Sequence, residues 1–146
     1  MKIKNIPRAV VILGMVSFFT DFASEMLYPI TPIFLTSILG SSMSVVGLIE
    51  GLAEVTAGLL KGYFGALSDK IGKRSVFIVI GYSLSGFVKS FPGFIATIPV
   101  VIISRVADRI GKGVRTAPRD ALLASYANGN TGAVFGFHRS MDTFGA

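Results

Sequence analysis

The chain has 146 residues, 51% hydrophobic and only 15% charged, with a formal net charge of +6. Soluble domains average about 25% charged residues, so this chain is short of water-facing surface. It has no cysteine and one histidine, His138, which excludes disulfide frameworks, thiolate–metal sites and multi-histidine metal sites.

The N-terminus, "MKIKNIPR", is basic, but the apolar run after it continues past Asp21 and Glu25 to Leu39 without a small-residue cleavage site. It reads as a first membrane span over about 9–39, long enough to cross ~30 Å of hydrocarbon. Asp21, Glu25, Pro29 and Pro32 interrupt it. At 100° per residue, Asp21 and Glu25 lie within about 40° of each other, and Ser17, Ser24 and Tyr28 share that face. An Asp at the bilayer centre costs about 2.5–3.5 kcal/mol, so both acids are expected to face the protein interior and to carry function.

"GSSMS" (40–44) is a polar turn, and a second span follows over about 45–67. On it Gly47, Gly51, Gly58, Gly62 and Gly65 fall within about 60° of one another. Small residues so spaced let two membrane helices approach closely, which is the expected role of this stripe. Glu54 lies among the glycines and needs a partner; Glu50 and Lys61 flank them.

"GALSDKIGKRS" (65–75) then brings Asp69, Lys70, Lys73 and Arg74 together between two apolar runs. A third span covers about 75–91 and stops at "SFPG". The fourth begins near 95. Its apolar part, "IATIPVVIIS", is shorter than the about 20 residues a crossing needs, so the span is expected to continue through "RVADRIGKGVRTAPRDALLA" to about 124. With Arg105 at zero, Asp108, Arg109, Lys112, Arg115, Thr116, Arg119 and Asp120 all fall between about −80° and +60°, with Val106, Ala107, Ile110, Val114 and Ala117 opposite. The competing reading is an amphipathic helix lying flat on the bilayer; it would leave the third span without its return. After "NGNTG" (128–132) a fifth helix starts near 133 and is incomplete at Ala146.

Basic residues collect before span 1 (Lys2, Lys4, Arg8), between spans 2 and 3, and late in span 4 (Lys112, Arg115, Arg119). The opposite turns carry only Lys89. This bias places the N-terminus in the cytoplasm of a multi-pass protein of the cell (inner or plasma) membrane, and accounts for the net charge without nucleic acid. At about 1.5 Å per residue, Asp21 lies ~20 Å beyond Arg8, and Arg105 ~21 Å beyond Arg119. Asp21 and Glu25 are therefore expected level with Arg105, Asp108 and Arg109, where opposite charges should pair.

With the spans placed, "GALSDKIGKRS" resembles the signature loop between helices 2 and 3 of the major facilitator superfamily, Gly-x-Leu-(Ser/Ala)-Asp-(Arg/Lys)-x-Gly-(Arg/Lys)-(Arg/Lys). Gly65, Leu67, Ser68, Asp69, Lys70, Gly72, Lys73 and Arg74 meet every fixed position. The fourth span is similar to the family's Arg-x-x-x-Gly pattern, as Arg109–Gly113 or as Arg105–Arg109 without the glycine. "DRIGKGVRTAPRDALL" is similar to a block in one prokaryotic branch, and "GFHRSMDTFGA" to the opening of the family's fifth helix. The resemblance implies an all-α transmembrane bundle, with helices 1 to 4 and part of 5 of an incomplete N-terminal half. Family members have about twelve helices in two halves, so the C-terminal half is an implied partner. The resemblance also implies that helices 1 and 4 line a central cavity. Asp69 and Arg74 would form a charge relay at the cytoplasmic gate, with Asp120 as a third member, and Gly65 would allow close packing against the other half.

The function expected from residues and resemblance together is secondary active transport of a small molecule, coupled to protons and directed outward, by alternating access. Burial in a half-dry cavity disfavours the charged form of a carboxyl and an adjacent arginine favours it, so a carboxyl alternating between the two can load and release a proton. Asp21, Glu25 and Asp108 are the candidate carriers; Arg105 and Arg109 are their partners. Two alternatives use the same chain differently: a proton-independent carrier of an anionic metabolite or lipid, or a truncated membrane protein with no transport of its own. No cofactor or metal is expected. No enzyme is expected either, since "IGKRS" and "IGKGVRT" both lack the first glycine of a phosphate loop.

Overall fold

The computed structural model describes residues 6–27, 30–38, 40–95 and 97–146. Lys2 and Lys4 of the basic N-terminus, Tyr28 of the polar face, Pro29 and Leu39 lie outside the described residues. Every regular element among the described residues is helical: α1 (Arg8–Leu27), α2 (Ile30–Ile33), a π turn (Phe34–Ile38), α3 (Met43–Ile71), α4 (Arg74–Val88), α5 (Phe91–Phe94), α6 (Ile98–Tyr126) and α7 (Thr131–Gly145).

Arg8–Met26, Met43–Ile71 and Arg74–Phe94 are each long and apolar enough to cross a membrane. Their large side chains are turned outward: Ile12, Phe19 and Met26 on α1, Leu48, Leu52 and Leu59 on α3, and Val79, Ile80 and Phe87 on α4 are all exposed. An apolar surface of this extent suits lipid and not water. Helices supply their own backbone hydrogen bonds, so they can stand in hydrocarbon. The chain is an all-α membrane protein.

The structure divides into two compact units, Met1–Leu27 with Asp120–Ala146, and Tyr28–Arg119. In the first, α1 packs on α7 and the end of α6 through buried Val10, Leu123, Ala127 and Val134. The approach is close at the far end of the pair, where a Cβ on Gly145 would stand 2.5 Å from the Phe18 carbonyl oxygen.

In the second unit α6 runs unbroken through the charged block, and its direction follows from its neighbours. Along α3, Glu50 meets Arg105. A Cβ on Gly113 would come 2.9 Å from the Ala57 carbonyl oxygen, and one on Gly65 2.9 Å from Ala117 Cβ. Numbers rise together, so α3 and α6 are parallel. Along α4 they run opposite: Lys89 meets Asp108, while Gly81 touches Gly111 and Arg115. α6 therefore lies lengthwise along two helices of membrane length, α3 and α4. A buried cluster of Leu35, Val46, Ile49 and Val101 closes the Met43 end of α3 against α6.

The glycines of α3 divide into two sets. Gly65 sits against α6, but a Cβ on Gly47, Gly51, Gly58 or Gly62 would meet nothing within 4 Å. The face of α3 turned into this unit is instead that of buried Val46, Ile49, Ala53 and Ala57. Further tight helix contacts of the unit, at Gly81, Gly111 and Gly113, lie on α4 and α6.

Candidate functional site

The ionised side chains of α6 leave it along two edges. On the edge toward α3, Arg105 forms a fork with Glu50: Nε donates to Oε1 at 2.6 Å and Nη2 to Oε2 at 3.1 Å. Parallel N–H bonds of this kind are the strongest arginine–carboxylate arrangement. Arg109, one turn on, stands 3.8 Å from Glu50 Oε2 and 3.6 Å from Glu54 Oε2. Two cations and two carboxylates thus form one compensated cluster. It grades from dry to wet: side-chain exposure is 9% for Arg105, 27% for Glu50 and 69% for Glu54. Val46 and Val101 lie four residues before Glu50 and Arg105 on their respective helices, so the apolar cluster covers the fork on one side.

On the edge toward α4, Lys89 Nζ is 3.4 Å from Asp108 Oδ1, both side chains nearly buried. Ser85 Oγ donates to the Asp108 carbonyl at 3.3 Å and accepts from Arg115 Nη1 at 3.0 Å. The Arg115 guanidinium also lies 4.3 Å from the centre of the Tyr82 ring, a cation–π contact. Tyr82, Ser85 and Lys89 recur every three to four residues, so one stripe of α4 answers one edge of α6. Lys112, between the two edges, is exposed.

The signature loop has its own geometry. Gly72 ends α3 in the left-handed region, at φ +72°, and its N–H donates to the Ser68 carbonyl at 2.9 Å. That position favours glycine because a Cβ is strained there. Buried Ser68 turns its hydroxyl back to the Gly65 carbonyl, 2.9 Å away. Asp69 stands in the last turn of α3, where a negative charge opposes the helix dipole. Arg74, opening α4, answers it with two bonds to Asp69 Oδ1, Nη2 at 2.7 Å and Nε at 3.0 Å. Lys70 and Lys73 are exposed.

In the first unit, Ser17 is fully buried on α1, Asp21 and Ser24 are half-buried, and Glu25 is exposed, so the acidic face is not uniformly covered. Asp120 is half-buried. His138 is buried on α7, with Nδ1 3.5 Å from Asp142 Oδ1 one turn away. Among the candidate site residues, then, Arg105 and Arg109 share one cluster, Asp108 belongs to the other edge, and Asp69 pairs with Arg74. Sequence patterns alone left Glu50 as a flank of the glycine stripe and Lys89 as an orientation marker. The available signal for both was the same: a charge inside a membrane-length helix demands a counter-charge.

A family model described as Major Facilitator Superfamily matches residues 13–146. The chain belongs to the major facilitator superfamily. Relatives of this superfamily chain include an uncharacterised MFS-type transporter of Methanocaldococcus jannaschii, 39% identical over 98% of this chain and 36% of the relative. An uncharacterised protein of Mycobacterium bovis is 33% identical over 95% of this chain and 34% of its own length. An uncharacterised MFS-type transporter of Bacillus subtilis is 29% identical over 86% of this chain and 33% of the relative. The chain therefore spans about a third of the length of the curated relatives it matches. No solved structure matches it.

Proposed function

We propose that this superfamily chain is the N-terminal part of a secondary transporter. In this reading it moves a small molecule outward across the cell membrane by alternating access, using protons as the coupling ion, with its N-terminus in the cytoplasm. Asp21, Glu25 and Asp108 are its candidate proton carriers, and Arg105 and Arg109 their partners. Asp69 and Arg74 would act as a cytoplasmic latch with Asp120, and the C-terminal two thirds of the longer protein would complete the cavity.

The observation that carries the reading is the cluster between α3 and α6. A binding site for an anion needs cations left uncompensated, yet Arg105 and Arg109 face the carboxylates of Glu50 and Glu54. Two arginines already balanced by two carboxylates leave no net positive charge there for an anionic substrate, which favours proton coupling over the carriage of an anion. Charges at this depth are costly unless they pair or line a hydrated path.

The test uses the full-length protein reconstituted in liposomes with an imposed pH gradient and a panel of drugs, sugars, acids and lipids as probes. The expected result is gradient-driven flux of at least one probe, abolished by a protonophore. Flux indifferent to the protonophore would select the proton-independent carrier. No flux across the panel, from protein that binds none of the probes, would select a membrane protein without transport. Within a coupled transporter, unchanged coupling in both Asp21→Asn and Glu25→Gln would remove those acids from the mechanism.

A further inference from the structure

We propose that His138 is a substrate-binding residue, whose Nε2 accepts a hydrogen bond from the N–H of an organic ammonium, the class of molecule carried. The inference rests on the transport reading above and names its substrate class; it does not depend on what drives transport.

The side chain comes first. His138 stands in the middle of α7 and is 1% exposed. Its Nδ1 lies 3.5 Å from Asp142 Oδ1, one turn along the same helix. A carboxylate oxygen accepts hydrogens and offers none, so the ring hydrogen of the neutral imidazole belongs on Nδ1. Nε2 then keeps its lone pair. It is buried and has no hydrogen-bond partner among the described residues. Burying a polar atom without a partner is costly, and an ionisable side chain kept inside a membrane helix at that cost serves function by default. Metal-binding histidines are oriented in the same way, one nitrogen on a carboxylate and the other toward the ion. Among the described residues, however, no three His, Asp or Glu side chains gather to hold a metal. The ligand that fits is an organic hydrogen-bond donor.

The surroundings decide its charge. α1 and α7 run parallel, since Gly14 packs on Phe137 and Met141 while Phe18 meets Gly145. Asp142 therefore lies at the level between Gly14 and Phe18, the stretch of α1 that holds fully buried Ser17. Asp21 follows one turn further on the face of Ser17. Beyond Arg8, the carboxylates of this unit, Asp21, Glu25, Asp120 and Asp142, outnumber its one basic residue, Arg139. They outnumber the cations still when buried Arg119, next to Asp120, is added. An excess of carboxylates favours a donor that brings positive charge with its hydrogens, which an ammonium does and an alcohol does not.

Access follows the same order. Side-chain exposure falls from 64% at Arg139 to 16% at Asp142 and 2% at His138. An ammonium arriving from that side meets the carboxylate before the imidazole. Reaching Nε2 takes a local repacking of α1 on α7, and the contacts at Gly14 are with the side chains of Phe137 and Met141, which can yield where backbone cannot.

The experiment measures binding to the full-length protein in detergent. The probes are n-butylamine, 2-phenylethylamine and spermidine, each against its fully methylated quaternary counterpart, which keeps the charge and has no N–H. Wild type is expected to bind at least one amine about 10- to 100-fold more tightly than its counterpart, the value of one hydrogen bond from a charged donor. That ratio should fall to near one in His138→Leu and be largely restored in His138→Gln, whose amide oxygen is an acceptor. The nitrogen NMR signal of Nε2, assigned by its loss in His138→Gln, should move when the amine binds and stay when the quaternary compound does. Binding of no amine, or an unchanged ratio in a folded His138→Leu, would overturn the proposal. Where His138→Leu does not fold, an Nε2 signal unmoved by a bound amine in wild type overturns it equally. Flux in liposomes separates the two layers. Selective amine binding without gradient-driven amine flux would sink the transport reading and leave the site standing. Gradient-driven flux of amine and quaternary compound alike, unchanged in His138→Leu, would sink the site and leave the transport reading standing.

Discussion

Glu50 and Arg105, 55 positions apart in the chain, are joined by two hydrogen bonds of 2.6 and 3.1 Å between parallel helices. The two sides of this pair are unequal, and the inequality predicts how it fails. Removing Glu50 takes the fork from a guanidinium that is 9% exposed; removing Arg105 takes it from a carboxylate that is 27% exposed and keeps Arg109 3.8 Å away. Breaking a buried pair costs about 3–5 kcal/mol, and an exposed one about 0–1 kcal/mol. Glu50→Ala is therefore expected to cost about 3 kcal/mol and Arg105→Ala about 2 kcal/mol. The double substitution Glu50→Ala with Arg105→Ala should cost clearly less than the sum of the two single losses. Thermal unfolding of the purified full-length variants in detergent, read as a double-mutant cycle, measures this. Strict additivity of the two single losses would mean that the pair is not coupled.

That pair also marks where sequence reasoning stopped. A helical wheel assigns faces to one helix at a time, so the polar face of α6 and the acids of α1 were readable. The wheel cannot say which neighbour a face meets. Glu54 was seen to need a partner, but Arg109 could not be matched to it without knowing that α3 and α6 run parallel. The glycine stripe shows a limit of the opposite kind. Its spacing is that of a packing seam, yet within this chain α3 turns Ala53 and Ala57 inward and leaves Gly47, Gly51, Gly58 and Gly62 against open space. The turn at Gly72 was legible throughout, because its cause is local: a left-handed residue and a carboxylate answered five positions later.

The two sets of glycines should respond differently to a methyl group. At Gly81 a Cβ would stand 2.6 Å from the Gly111 carbonyl oxygen and 2.6 Å from Arg115 Cβ. At Gly111 it would stand 2.7 Å from the Gly81 carbonyl oxygen. Backbone cannot yield as a side chain does, so α4 and α6 must part. Gly81→Ala and Gly111→Ala are each expected to cost about 1–3 kcal/mol, the usual cost of overpacking. They should also weaken the Lys89–Asp108 contact on the same seam. Gly58→Ala meets nothing in this chain and gains up to about 1 kcal/mol of helix propensity. Melting temperatures of the three full-length variants give the comparison. Equal losses at Gly58 and Gly81 would show that the open stripe is packed by parts of the longer protein.

Asp108 is tied to Lys89, and that tie predicts a specific rescue. Both side chains are nearly buried, at 10% and 12% exposure, so Asp108→Asn takes from a nearly buried ammonium the carboxylate 3.4 Å away. A loss of about 2–3 kcal/mol is expected, below the full buried-pair value because lysine can extend its long stem toward water. Lys89→Met combined with Asp108→Asn should restore stability. If transport returns as well, Asp108 serves only to hold α4 on α6. If stability returns and pH-driven flux does not, Asp108 carries protons as proposed. Unfolding curves and flux on the same preparation separate the outcomes.

The latch at the signature loop can be told from a structural brace by magnitude. Asp69 and Arg74 are 57% and 35% exposed, and pairs of that kind contribute about 0–1 kcal/mol to stability. Asp69→Asn should therefore shift the melting temperature little. The turn beneath it costs more to disturb. Gly72→Ala forces a Cβ into the left-handed region at φ +72°, with an expected penalty of about 1–2 kcal/mol. If the pair is a latch, Asp69→Asn abolishes most flux at nearly unchanged stability, and Asp69→Glu restores part of it. Gly72→Ala then lowers both together. Flux that falls only in proportion to the folded fraction in all three variants would reduce the pair to a brace. The ratio of flux to folded protein, measured across this series, is thus the quantity that assigns Asp69 and Arg74 a part in gating.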